Sequence, residues 1–162
     1  MKNLKLKSNT LIIGIGNSGR RDDGLGWAFV NEIQSRMPDD FDYEWRYQLQ
    51  VEDSELICNY ERVIFVDATT EELHSGFSFS KCELAEHYYF SSHAQNPETV
   101  VYLAATLYDV QPDAYMMAIC GVEWELQEGL SEAAITHLNK AISHFFEVIQ
   151  DFSSRTGWKW KY

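Results

Sequence analysis

The residues of this chain best suited to chemistry are acids and one imidazole. Asp22 and Asp23 close the stretch Gly14-Ile15-Gly16-Asn17-Ser18-Gly19-Arg20-Arg21-Asp22-Asp23-Gly24, Asp67 ends RVIFVD, and His93 stands in SSHAQNPE. Carboxylate and imidazole oxygens and nitrogens suit nickel, zinc, iron or manganese, and a set of three protein ligands leaves room for water or a ligand carried by a substrate. These groups are far apart in sequence. They form a site only if the fold gathers them, as an open α/β sheet does when ligands bind outside the carboxyl ends of its strands.

The first six residues of that stretch also fit G-x-G-x-x-G, which raises a rival reading: a dinucleotide phosphate cradle at Gly14–Gly19. Such a cradle needs its third glycine at the start of a helix, with an acid ending the second strand to bind the ribose. Here Arg20-Arg21-Asp22-Asp23-Gly24 intervene before any helical pattern. Asp39 and Asp40 precede the second strand, and Glu52 and Asp53 come too late after it. Paired carboxylates favour a cation over a phosphate. Arg20 and Arg21 are expected to pair locally with Asp22, Asp23 or another acid.

Other nucleophiles and ligands have weaker claims. There is no G-x-S-x-G elbow. Ser91 and Ser92 fit turn and capping roles. His74, His87, His137 and His144 lack a carboxylate in a defined pattern, and His137 and His144, one heptad apart, are expected on the surface or flank of the last helix. Cys58, Cys82 and Cys120 form no C-x-x-C pair and read as reduced core thiols, which fits a cytoplasmic protein.

The elements that must position the acids are legible. Thr10–Ile15 is a short apolar run ending near glycine, a buried strand. Leu25–Ser35 carries Leu25, Ala28, Phe29 and Ile33 at helical spacing, and Pro38-Asp39-Asp40 marks a turn. Phe41–Leu49 alternates as a strand, Asp53–Tyr60 is a short helix, Arg62–Asp67 is a buried strand, and Phe77–Leu84 alternates again. Asn96 and Pro97 read as N-cap and first helical residue of a helix through Tyr108. Ala114–Val122 is a strand. Ser131 opens a long helix with Ile135, Leu138, Ile142, Phe145, Phe146 and Ile149 on an apolar stripe. The order β-α-β-α-β-β-α-β-α predicts an α/β fold: one three-layer αβα domain spanning residues 1–162, with a twisted, mostly parallel sheet of about five strands.

Bulk properties narrow the partners. The chain has 162 residues, 45% of them hydrophobic, and a net charge of −12. That acidity argues against general nucleic-acid binding and an anionic membrane surface. No apolar run could span a bilayer and no signal peptide is apparent. The size suits a monomer. The tail Trp158-Lys159-Trp160-Lys161-Tyr162 is basic and aromatic, and is expected to pack on the body.

Four segments in order resemble the maturation endopeptidases of [NiFe]-hydrogenases: Gly16-Asn17 leading to Asp22-Asp23-Gly24-Leu25-Gly26, then Phe65-Val66-Asp67-Ala68, Ser91-Ser92-His93, and Gly121-Val122-Glu123 leading to Gly129-Leu130-Ser131. The resemblance covers nearly the whole chain. Arg21 stands where a glycine commonly precedes the paired acids, Trp124 where a proline commonly follows, and Ser18-Gly19 where apolar residues are frequent. The resemblance implies an endopeptidase that removes the C-terminal extension of a hydrogenase large-subunit precursor after nickel insertion. Asp23, Asp67 and His93 would recognise nickel brought by the precursor, with no resident cofactor. A non-catalytic protein that docks on hydrogenase assembly factors would share the fold.

Overall fold

In the computed structural model, which describes residues 9–84 and 95–156, the chain runs β1 (Thr10–Ile15), a 3-10 turn (Arg21–Gly24), α1 (Leu25–Arg36), β2 (Asp42–Arg46), α2 (Asp53–Ile57), β3 (Arg62–Thr69), β4 (Phe77–Lys81), α3 (Pro97–Tyr108), β5 (Asp113–Cys120) and α4 (Glu132–Thr156). The strands form one sheet in the order β2-β1-β3-β5-β4. All neighbours are parallel except β4, which runs antiparallel to β5. This is the α/β architecture expected from the pattern, with five strands. The carboxyl ends of β2, β1, β3 and β5 therefore lie along one edge of the sheet. His87, the Ser91-Ser92-His93 segment and the Trp158–Tyr162 tail lie outside the described residues.

Alternation along the strands divides the core. Ile12, Ile64, Val66, Met117 and Ile119 face α1 and α4, meeting Phe29, Val30, Ile33, Leu138 and Phe145. Leu11, Ile13, Ile15, Val63, Phe65 and Ala114 face the opposite way, onto Ile57 of α2 and Val100, Val101 and Ala104 of α3. Near-continuous apolar strands are the sequence signature of a parallel sheet covered on both faces.

Boundaries differ from the expectations for local reasons. β2 stops at Arg46, whose carbonyl turns to accept Gly16 N–H at 2.9 Å and the Trp27 indole N–H at 3.0 Å. β3 continues two residues past Asp67 because β5 keeps pairing, up to Thr69 opposite Cys120. β5 starts at Asp113 and leaves the sheet at Gly121, and β4 ends at Lys81. The second helix is shorter than expected, ending at Ile57. On α4 the buried stripe is Ala134, Leu138, Ala141, Ile142, Phe145 and Ile149; Ile135, expected on it, is exposed, since one residue's step rotates it about 100° away from Ala134.

Capping follows the sequence. Asn96 is the N-cap of α3, its side chain accepting Thr99 N–H at 2.8 Å, with Pro97 in the first turn. His137 and His144 are half-buried flank residues: His137 Nδ1 lies 2.8 Å from the Cys120 carbonyl and His144 packs on Phe77 and Phe79. All three cysteines are free; Cys82 and Cys120 are buried and Cys58 is half-buried.

Gly26 sets the approach of α1. A Cβ there would run into the carbonyl oxygens of Ile15 and Val66, so α1 can lie this close to β1 and β3 only with glycine at this position. Gly26→Ala is expected to destabilise the protein by roughly 2 kcal/mol, the usual scale of overpacking, as measured by urea unfolding at neutral pH.

Candidate functional site

The adjacent acids Asp22 and Asp23 have different jobs. Asp22 is fully buried. One oxygen accepts Ser131 N–H at 2.8 Å; the other accepts Val122 N–H at 2.8 Å, Glu123 N–H at 2.9 Å and the Ser131 hydroxyl at 2.7 Å. The Ser131 hydroxyl in turn accepts Ala134 N–H at 3.1 Å, capping α4. Burial by itself would raise the Asp22 pKa, but the donors from Ser131, Val122 and Glu123 outweigh it and hold the carboxylate below its ordinary range. Asp22 thus ties the segment after β1 to the segment after β5. It is fully buried and its four hydrogen bonds come from protein donors, so it is not presented to a ligand.

Asp23 is the acid left available. The 3-10 turn carrying it touches β3, and the loop before it closes tightly: Asn17 N–H bonds the Asp23 carbonyl at 3.1 Å and Asp23 N–H bonds the Arg20 carbonyl at 3.0 Å. Gly16 has φ +136°, and a Cβ there would collide with the Asp23 carbonyl oxygen. The glycines expected of a phosphate cradle instead let the loop fold onto its own acids. α1 starts at Leu25, six residues after Gly19, with Arg20–Gly24 in between, whereas a pyrophosphate cradle has its third glycine at the helix start.

Asp67 sits near the end of β3, next to β1. Alternation places it on the face of Val63 and Phe65, the side covered by α2 and α3. Its Oδ1 accepts Ala68 N–H at 2.8 Å. Burial pushes its pKa up to about 7; the Ala68 N–H opposes this and the negative charge of Asp23 adds to it. Asp23 is also raised by burial, against the Asn17 N–H and the charge of Arg20. A half-buried carboxylate whose proton affinity is raised by burial and by a neighbouring acid can exchange its proton for a divalent cation. Strand order places them at the switch point between β1 and β3, the position where open α/β sheets bind ligands. Among the described residues no group of three or more His, Cys, Asp or Glu is gathered for a metal ion; the remaining expected ligand, His93, lies outside them.

Arg21 is the surprise of the loop. Its backbone has φ +45°, a left-handed conformation unusual outside glycine. Its guanidinium pairs with Glu123 rather than with Asp22 or Asp23, Nε lying 3.2 Å from Glu123 Oε2 and Nη2 contacting the same oxygen. Arg21 N–H bonds the Gln127 carbonyl at 2.8 Å, and Arg20 and Gln127 form an isolated parallel bridge. Sequence reasoning missed the anchoring role of Asp22; it expected Arg21 to pair with Asp22, Asp23 or another acid, and the acid is Glu123, 102 residues away. The usable signal for Asp22 was Ser131, a capping hydroxyl just before a long helix.

No protein-family model matches the sequence, and a search of curated proteins gives no match. Solved structures match in fold. HybD, a hydrogenase maturating endopeptidase from Escherichia coli, superposes with a TM-score of 0.65 over 88% of this chain and 92% of its own, at 14% identity. HycI, a [NiFe] hydrogenase maturation protease from Thermococcus kodakarensis, gives 0.63 over 90% and 92% at 20% identity. A hydrogenase 2 maturation peptidase from a Thaumarchaeota archaeon gives 0.62 over 87% and 97%, also at 20% identity. The chain has the fold of these proteins over nearly its full length.

The two aspartates predict opposite pH signatures. Asp67 has a raised folded pKa, so between about pH 4 and 7 the unfolded chain has released a proton that the folded protein keeps, and stability falls as pH rises. Asp67→Asn removes that fall and is expected to stabilise the protein at pH 8 by up to roughly 4 kcal/mol, a rise from 3.8 to about 7 at about 1.4 kcal/mol per pKa unit. Asp22 has a lowered folded pKa, so its contribution is present above about pH 4 and lost in acid. Asp22→Asn is expected to cost roughly 3 kcal/mol at neutral pH, where buried donors lose their acceptor. Urea unfolding at pH 3, pH 5 and pH 8 measures both.

Proposed function

We propose that the chain is an endopeptidase that removes the C-terminal extension of a [NiFe]-hydrogenase large-subunit precursor after nickel insertion. Asp23, Asp67 and His93 would recognise the nickel carried by that substrate. The observation that carries this reading is the Asp23–Asp67 pair at the β1–β3 switch point, on a chain with the fold of hydrogenase maturation endopeptidases. The family resemblance seen in the sequence supports it independently.

The chemistry asked of the site is modest. A divalent ion brought by the precursor replaces the proton that Asp67 holds near neutrality. The ion then either polarises the scissile carbonyl or lowers the pKa of a bound water. A carboxylate of the pair that does not ligate the ion would be the general base that takes the proton of the attacking water. Binding the precursor at its nickel also fixes the tail beside the carboxylates, and positioning of this kind is itself a large catalytic contribution. Because the metal arrives with the substrate, the enzyme carries no resident cofactor. It works as a monomer in the cytoplasm, with no nucleic-acid or membrane partner. Among the described residues no helix is long and apolar enough to cross a membrane.

The decisive measurement is the intact mass of the large subunit from cells carrying wild-type or variant protein. Wild type is expected to yield a C-terminally shortened subunit, while Asp23→Asn, Asp67→Asn and His93→Ala each leave it full length. Full processing by the variants would remove these residues from the mechanism. With purified components, prior chelation of the enzyme is expected to leave cleavage intact, whereas nickel-free precursor stays uncut. Efficient cutting of nickel-free precursor would end the nickel-checking role.

A further inference from the structure

The segment between β5 and α4 is held rigidly yet turns apolar side chains outward. Val122 is 55% exposed and Leu126 80% exposed. Beneath them the backbone is pinned from several directions. Val122 and Glu123 N–H groups bond Asp22; the Glu123 carbonyl accepts Asp22 N–H at 3.0 Å; the Gln127 carbonyl accepts Arg21 N–H at 2.8 Å; and Gln127 N–H closes on the Glu125 carbonyl at 2.9 Å. A loop that merely connects two elements usually presents polar residues and moves freely. This one fixes two large aliphatic groups in water, and the residue that anchors it, Asp22, is next in sequence to Asp23.

The exposed charges carried by the segment itself are acidic; a neighbour of opposite sign is Arg20, at its bridge to Gln127. Glu125 and Glu128 are exposed, and Glu123 has its charge met by Arg21. The chain as a whole carries −12. A partner that covers Val122 and Leu126 must bring apolar side chains, and one that does so favourably brings lysine or arginine beside Glu125 and Glu128.

We propose that the Val122–Glu128 segment is a docking surface for a basic, apolar peptide segment of the protein substrate, seated next to the Asp23–Asp67 site. This rests on the processing function proposed above. The surface supplies affinity for substrate that does not depend on the metal, and Asp22 keeps docking surface and carboxylates in fixed relation. Leu126 and Val122 set apolar contact, and Glu125 and Glu128 set charge preference and association rate.

The probe is the hydrogenase large-subunit precursor, used nickel-free so that binding is read without cleavage. Leu126→Lys and the pair Glu125→Lys, Glu128→Lys alter exposed side chains, and thermal melting confirms that each variant folds. Each is expected to weaken binding about tenfold, the scale of a moderately important interface residue, and the charge pair is also expected to flatten the dependence of binding on salt. With nickel-loaded precursor, Leu126→Lys raises KM and leaves kcat near wild type. Wild-type affinity in both variants overturns the docking surface while leaving the processing function intact. Precursor that binds wild type and releases from the variants, but is never cut, supports the surface and overturns the processing function. Failure of wild type to bind the precursor overturns the surface.

Discussion

One buried carboxylate holds the working edge of this protein in place. Asp22 accepts hydrogen bonds from Val122, Glu123 and Ser131, and so joins the end of β1, the end of β5 and the start of α4. A carboxylate out of contact with water is costly unless its lone pairs are satisfied. Here they are, and the lowered pKa records a net gain. With Asp22 fixed, the backbone of Asp23 has little freedom, and the carboxylate beside Asp67 inherits its placement from its neighbour.

The same edge shows how hydrogen-bond donors set the charge of neighbouring acids. Asp67 is raised towards neutrality by burial and by Asp23, while Asp22, one residue from Asp23, is driven the other way. Burial is the largest influence on both, and the number of donors decides the sign. Asp67 has one backbone donor among the bonds described; Asp22 has three, plus a hydroxyl. A saturated carboxylate is structural; an undersaturated one beside a like charge is open to a cation.

Much of this architecture was legible in the sequence because it rests on local rules. Apolar strands, helical spacing and the Asn96-Pro97 start of α3 each depend on residues a few positions apart. What was not legible depends on contacts across about a hundred residues. Nothing local distinguishes Asp22 from Asp23; the difference appears only when Ser131 and the Val122 amide arrive from the far end of the chain. Arg21 reaches Glu123 for the same reason. The glycine pattern misleads in isolation, since the need for glycine at Gly16 comes from the Asp23 carbonyl folding back on it. The exposure of Ile135 shows that a stripe read at spacings of three and four leaves its edges undecided by a residue.

The sequence separation bridged by Asp22 also orders events during folding. Contacts between distant segments form after local ones, because closing a long loop costs entropy before any contact repays it. The first strand and its acidic loop are synthesised early, yet the donors that fix them belong to residues 122, 123 and 131. A chain that has not yet emerged to that point lacks the donors that hold the Asp22–Asp23 turn, so the placement of Asp23 beside Asp67 waits for the segment that opens the last helix.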